Sequence, residues 1–381
     1  MRGSIRQRGK NGWQIQIYTG AGPDGKRKRH FETIRGRKGD AQRRLTELLS
    51  SLDKGVCPPR GRITVAEHLR NWLSGYVKTN CSPRTQDGYQ SIIEHHLIPN
   101  LGLVQLKHLD HQMIERYYSK ARETLSPRTV HHQHRVLSQA LKYACRLGIL
   151  ARNPCELVDI KGSLKQIKRR MRTLTPAEAE VLLKMAEDNQ YYPVIYTAVS
   201  SGLRQAELLG LRWRDVDLES KSISVCQTLY KRHGVIEFKE PKTEHSRRNV
   251  NMMSKLANYL TEYKGERESL FLHLGRLPKL DDLVFSNAEG EPIDPGVLSH
   301  NFARLAKRAG LKNVRFHDLR HTFASLMLLR GAKPKVISEA LGHSSVAFTM
   351  DTYSHIIEGM QSEAMALLDE VLPPGKSASE K

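Results

Sequence analysis

Six residues in the second half of the chain have the types and spacing of a site that handles phosphate. Tyr353, in Thr352-Tyr353-Ser354-His355, carries a hydroxyl that becomes a nucleophile only when its proton is taken. A phenol titrates near pH ~10, so it is a weak nucleophile at neutral pH unless its target is activated. Two arginines on a target phosphate would supply that activation by neutralising charge in the transition state. Arg204 stands within Ser200-Ser201-Gly202-Leu203-Arg204-Gln205-Ala206-Glu207, where an isolated cation in an apolar stretch calls for an anion. Arg320 stands within Phe316-His317-Asp318-Leu319-Arg320-His321, three residues after His317 and on the same helix face. His343, in Leu341-Gly342-His343, and Lys242, in Pro241-Lys242-Thr243, add a hydrogen-bond donor and a proton donor.

Each segment alone has a plainer reading. Glu207, three residues after Arg204, makes a buried ion pair the readier account of that arginine taken alone. A tyrosine at a helix end is more often packing, and a lysine in a turn is ordinarily solvated. His317 and His321, four apart, have the spacing of a zinc pair. The metalloprotease pattern needs Glu directly after the first His, however, and Asp318 stands there with cationic Arg320 close by. No metal and no cofactor is expected.

The elements that must position these residues can be read in outline. Trp13-Gln14-Ile15-Gln16-Ile17-Tyr18 alternates as a strand does, and a turn at Gly20–Gly25 leads to a second strand from Lys26. A helix over about 40–52 places Leu45, Leu48, Leu49 and Leu52 on one face. Residues 1–55 are therefore expected to form a basic sheet-plus-helix module. Residues 63–157 read as a helical bundle. Thr64 opens its first helix, and Ser82-Pro83-Arg84-Thr85 and Ser126-Pro127-Arg128-Thr129 mark two further starts. Gly148 stops the last helix. Residues 158–172 form a linker with six Lys and Arg from Lys161 onward and no acid there. From 173 to 372 a mixed domain begins at Thr175-Pro176, with strands at 222–225, 234–238 and 248–250 and helices after Pro295. An amphipathic helix over 354–372 and a polar tail at 373–381 complete the reading.

Composition sets the kind of partner. The 381 residues hold 61 Lys+Arg against 40 Asp+Glu, a formal charge of +21. Such an excess points to a polyanion, nucleic acid ahead of an acidic membrane surface. About half of it lies in residues 1–60, with fifteen basic and five acidic side chains. No apolar run reaches the ~18–20 residues of a membrane span. Five scattered cysteines without a C-x-x-C suit a reducing cytoplasm better than a disulfide framework.

Taken together, the segments resemble the tyrosine recombinases of the phage-integrase family. The family's order is Arg, Lys, His-x-x-Arg, His, Tyr, and it falls on Arg204, Lys242, His317 with Arg320, His343 and Tyr353. Glu207 matches the acidic position after the first Arg. His343 and Tyr353 are ten residues apart, where many members have nine. The resemblance implies a multidomain, mostly α fold with small β-sheets. Its parts would be an arm-type DNA-binding module, a helical core-DNA-binding domain and a mixed α/β catalytic domain. It implies a site-specific recombinase that breaks and rejoins DNA through a 3′-phosphotyrosyl intermediate, integrating and excising a phage or other mobile element. The partners it implies are double-stranded DNA at core and arm-type sites, three more copies in a homotetramer, and an excisionase or host DNA-bending protein. The resemblance implies a cytoplasmic, nucleoid-associated location and no membrane. A chromosome-dimer resolvase, a type IB topoisomerase and a non-enzymatic DNA-binding regulator are the alternatives.

Overall fold

Alternation of apolar and polar residues along Trp13–Tyr18 is realised as the middle strand of a three-stranded antiparallel sheet, order β1-β2-β3. Its strands are β1 (Gly3–Gln7), β2 (Gly12–Ala21) and β3 (Arg27–Arg35). The computed structural model describes residues 3–21, 27–53, 63–159, 172–241, 247–343 and 345–354. Register places Ile5 opposite Ile15, and Ile15 opposite Glu32. Helix α1 (Lys38–Asp53) covers one face, burying Leu45 and Leu48 against Ile15 and Ile17. Strand β1 escaped the sequence reading because this edge strand has one apolar position, Ile5, and so no periodicity to read.

The chain divides into two compact units, Met1–Lys168 and Arg169–Lys381. The first unit also holds the helical bundle. Thr64 opens α2 (Val65–Trp72) with a capping box: its hydroxyl accepts from the Glu67 N–H and Glu67 accepts from the Thr64 N–H. This helix runs on through a π turn at Leu73–Val77. Helix α3 (Pro83–Ile92) does the same at Ile93–Leu97, and α4 (His111–Thr124) and α5 (Pro127–Arg146) follow. Both Ser-Pro starts are found, with Ser126 accepting from the Thr129 N–H at 3.2 Å. Val65, Leu69, Ile93, Leu97, Ile114, Leu137 and Leu141 fill the core. Buried His68 hydrogen-bonds the Ala140 carbonyl at 2.8 Å, and burial holds its pKa below the ordinary value. A neutral ring donating Nε2–H satisfies both observations.

The second unit begins with α6 (Pro176–Ala186), opened by the Thr175–Glu178 capping box. It continues through α7 (Tyr192–Ser201) and the short α8 (Gln205–Leu209). Strands β4 (Val216–Asp217), β5 (Ser222–Ser224) and β8 (Asn249–Asn251) form one antiparallel sheet. Strands β6 (Thr228–Arg232) and β7 (Val235–Lys239) form a separate hairpin. The sequence reading found β5, β7 and β8. It missed β4, only two residues long, and β6, whose Lys231 and Arg232 break the apolar pattern. Helices α9 (Ser254–His273), α10 (Pro295–Arg308), α11 (Asp318–Leu329) and α12 (Pro334–Leu341) follow, and residues 346–354 are helical. Leu182, Ile195, Leu208, Phe285, Phe302 and Leu319 anchor the core, each such side chain contributing roughly 1.5–3 kcal/mol on burial. Lys242, the Lys161–Arg170 stretch, residues 355–372 of the helix expected over 354–372 and the tail 373–381 lie outside the described residues.

The junction that positions the site is where α7 ends against α11. Gly202 terminates α7 at φ +65°. A Cβ there would stand 2.5 Å from the Phe323 ring and 2.9 Å from Leu341 Cδ2. Gly202→Ala combines a strained backbone with an overpacked contact, a loss of about 2–3 kcal/mol. Urea unfolding of the two proteins measures it, and an unchanged midpoint would contradict the packing described.

Candidate active site

One buried cation gathers the segments of the site. Arg320, in the first turn of α11, is 3% exposed. It donates Nη1–H to the Gly202 carbonyl at 2.8 Å and Nη2–H to the Leu341 carbonyl. A guanidinium this deep needs such acceptors, because taking a charge out of water costs several kcal/mol. Burial pulls its pKa down to about 9, and the neighbouring charge of Arg204 adds to the effect. It is still a cation at neutral pH.

Arg204 immediately precedes α8. Glu207 accepts from its backbone N–H at 2.8 Å and from Nη1–H at 2.7 Å, while Nη2 reaches the Gly342 carbonyl at 3.2 Å. The Arg204 side chain is 37% exposed and that of Glu207 only 3%. The expectation that Arg204 is the costly buried arginine is therefore corrected. Arg320 is the buried one, and Arg204 is half-buried, with its guanidinium engaged by Glu207 and the Gly342 carbonyl. Glu207 also accepts two hydrogen bonds from Arg248, at 3.0 and 2.9 Å. Burial pushes the Glu207 carboxyl up, but the Arg248 and Arg204 guanidinium groups outweigh that and hold it below its usual value.

The histidines and the tyrosine lie alongside. His343 follows Gly342, which ends α12 at φ +63°. Its Nδ1 is 2.8 Å from the Thr349 hydroxyl. Tyr353, 1% exposed, packs among Ala324, Leu328, Ile337 and Leu341. Its hydroxyl is 2.9 Å from His321 Nδ1, and the His321 ring stands edge-on to His317 at 5.1 Å. Burial pushes the Tyr353 phenol up to about 12, although Arg320 pulls the other way. His321 is held down to about 4 by burial and by His317. His343 is held down to about 4 by burial and by Arg320 and Arg204. His317 is lowered too, by burial and then by Arg320. At neutral pH the phenol and the rings are uncharged, beside the guanidinium groups of Arg204, Arg248, Arg315 and Arg320 and the carboxylates of Glu207 and Asp318.

The structure thus brings Arg204, Glu207, His317, Arg320, His343 and Tyr353 into one site, and Lys242 lies outside the described residues. It adds three side chains that the sequence reading missed as parts of the site. Thr349 and Tyr353 are one helical turn apart, a signal that could have been used. His321 was weighed only as a metal ligand, and its Nδ1 faces a phenol instead. Among the described residues no cluster of three or more His, Cys, Asp or Glu could hold a metal ion. Nothing local marks Arg248, whose partner is 41 residues away in sequence.

Comparison with known proteins shows the family and the fold. The profile of the phage integrase family matches residues 172–359, and that of the phage integrase N-terminal SAM-like domain matches residues 64–122. The chain belongs to the phage integrase family. This integrase is 27% identical to a "Tyrosine recombinase XerC-like" of Caldanaerobacter subterraneus subsp. tengcongensis, over 95% of this chain and 97% of that one. It is 28% identical to the ICEBs1 integrase of Bacillus subtilis, over 90% and 94% of the two chains. Its fold matches that of the Tn1549 transposon integrase solved with a circular intermediate DNA. That match has a TM-score of 0.69 at 23% identity, covering 80% of this chain and 99% of that one. The integrase is a DNA strand-transferring tyrosine recombinase, mostly helical with small antiparallel sheets. Among its described residues no helix is long and apolar enough to cross a membrane.

The histidines make the site sensitive to acid. Both His321 and His343 fall from an ordinary 6.5 to about 4 on folding. The unfolded chain therefore binds more protons between those values, and stability rises with pH across that window. The contribution of the neutral rings is complete above about pH 6.5 and is lost as pH falls toward 4. Urea midpoints from pH 7.5 to 4.5 should fall less steeply in a His321→Asn, His343→Asn variant than in the native chain. Parallel declines would contradict the assignment.

Proposed function

We propose that Tyr353 is the nucleophile of a site-specific recombination reaction at core DNA sites of a phage or other mobile element. The observation that carries the reading is the gathering of Tyr353 with two arginines and three histidines in one site. In the reaction the Tyr353 oxygen bonds to phosphorus, and the bond from phosphorus to the 5′-oxygen breaks. A 3′-phosphotyrosyl ester and a free 5′-hydroxyl result. The ester keeps the energy of the broken diester, so rejoining needs no ATP. Arg204 and Arg320 hold the non-bridging oxygens in fork geometry, which lysine does not reproduce. His343 donates a further hydrogen bond to the phosphate. His317 accepts the phenol proton or ligates phosphate, and Lys242 protonates the departing oxygen. Glu207 orients Arg204. Since Tyr353 is buried beside His321, its hydroxyl leaves that contact to reach a phosphate held at half-buried Arg204.

Residues 3–53 support an arm-type site in addition to the core site, which favours a mobile-element integrase over a chromosome-dimer resolvase. The sheet face away from α1 carries Arg6, Gln14, Gln16, Tyr18, Arg29, Phe31, Thr33 and Arg35. Arg29 lies over the Tyr18 ring at 5.5 Å, and Phe31 is half exposed. Three strands span about 10 Å, which fits a major groove about 12 Å wide. Arginine, glutamine and aromatic side chains are the types that read base edges there. Two duplexes that exchange strands need four nucleophiles, hence a homotetramer on DNA. An excisionase or a host DNA-bending protein would set direction, and the setting is the cytoplasm, with the nucleoid.

Tyr353→Phe should bind a core site within about twofold of the native affinity and form no adduct that survives denaturant. An adduct from that variant would overturn the reading. Lys242→Ala should cleave roughly 10²–10³-fold more slowly and recover on a substrate with bridging 5′-sulfur, whose leaving group needs no acid. Absence of recovery would remove Lys242 from that role. Deleting residues 1–55 should abolish arm-site binding and spare core-site cleavage, and retained arm binding would reject the module's assignment.

A further inference from the structure

We infer that Arg248 is a positioning residue for catalysis: it offsets the charge of Glu207 so that Arg204 remains an effective cation for phosphate. The inference rests on the proposed reaction at Tyr353. Arg248 enters the site from the end of the loop before β8, and its side chain is 7% exposed. Nη1 and Nη2 engage both oxygens of Glu207, at 3.0 and 2.9 Å, and Nε donates to the Ala340 carbonyl at 2.7 Å. The same side chain packs beneath Gly342, where a Cβ would come within 3.0 Å of it. Arg248 therefore touches the acid that holds Arg204 and the turn that presents His343.

Charge explains why this matters. A carboxylate with Arg204 as its single partner would cancel most of that arginine's pull on a phosphate. With Arg248 on both of its oxygens, Glu207 becomes a structural hinge between two cations. Arg204, Arg248 and Arg320 then outnumber Glu207 by two charges. That surplus matches a phosphodiester whose non-bridging oxygens gain negative charge as the fifth bond to phosphorus forms. Arg248 itself spends its donors on protein groups, so its effect on phosphate passes through Glu207 and Arg204.

The test compares native chain and Arg248→Gln in single-turnover cleavage of two duplexes, one with an ordinary scissile phosphate and one with a neutral methylphosphonate. On phosphate the variant should be roughly a hundredfold slower, with core-site binding within about threefold. On methylphosphonate, which carries no charge for the cations to meet, the gap should shrink to under about fivefold. Arg248→Lys, which keeps the charge and loses the paired geometry, should recover at least about tenfold on phosphate. An equal gap on both substrates would assign Arg248 to folding alone and overturn the inference, as would native rates in Arg248→Gln. A Tyr353→Phe control that still forms adduct would instead reject the reaction itself.

Discussion

A guanidinium buried at the meeting of two helix ends organises this protein's catalytic unit. Arg320 cannot stay at 3% exposure without acceptors, and those it finds are the carbonyls of Gly202 and Leu341. Both belong to turns that carry functional side chains. Arg204 follows Gly202 by two residues, and His343 follows Leu341 by two. The cost of desolvating one charge is thus turned into a constraint that holds three chain segments together. The left-handed glycines at 202 and 342 are the backbone condition for that arrangement.

Around this centre the electrostatics are divided. Arg204 is partly open to solvent while Arg320 and Arg248 are buried, and the neutral groups run from buried Tyr353 through half-buried His321 and His343 to exposed His317. Burial keeps the phenol protonated at neutral pH, pushing it up to about 12. A net charge of +21 favours a polyanion such as DNA as partner.

Much of this was legible in the sequence, for identifiable reasons. The order Arg204, His317, Arg320, His343, Tyr353 could be read because each stands in a short segment of distinctive residue types. Helix starts at Thr64, Ser126 and Thr175 were legible because capping is local, and the structure has all three. What stayed hidden depended on contacts across long separations. Arg248 opens Arg248-Asn249-Val250, which reads only as a short strand, yet its acceptors are at positions 207 and 340. His321 was assigned a metal-ligand spacing because a helix places it near His317. Only the packing of residues 346–354 reveals that a phenol faces it. Which of two arginines is buried was likewise beyond the sequence, since both lie in apolar surroundings.

The central claim is that Tyr353 takes the DNA phosphate. The most direct measurement traps the protein on a nicked core-site duplex, digests protein and DNA, and identifies the nucleotide-bearing peptide by tandem mass spectrometry. The account predicts a single modified residue, Tyr353, joined to a nucleotide through its 3′-phosphate. A nucleotide on any other side chain, or a 5′-phosphate linkage at Tyr353, would contradict it.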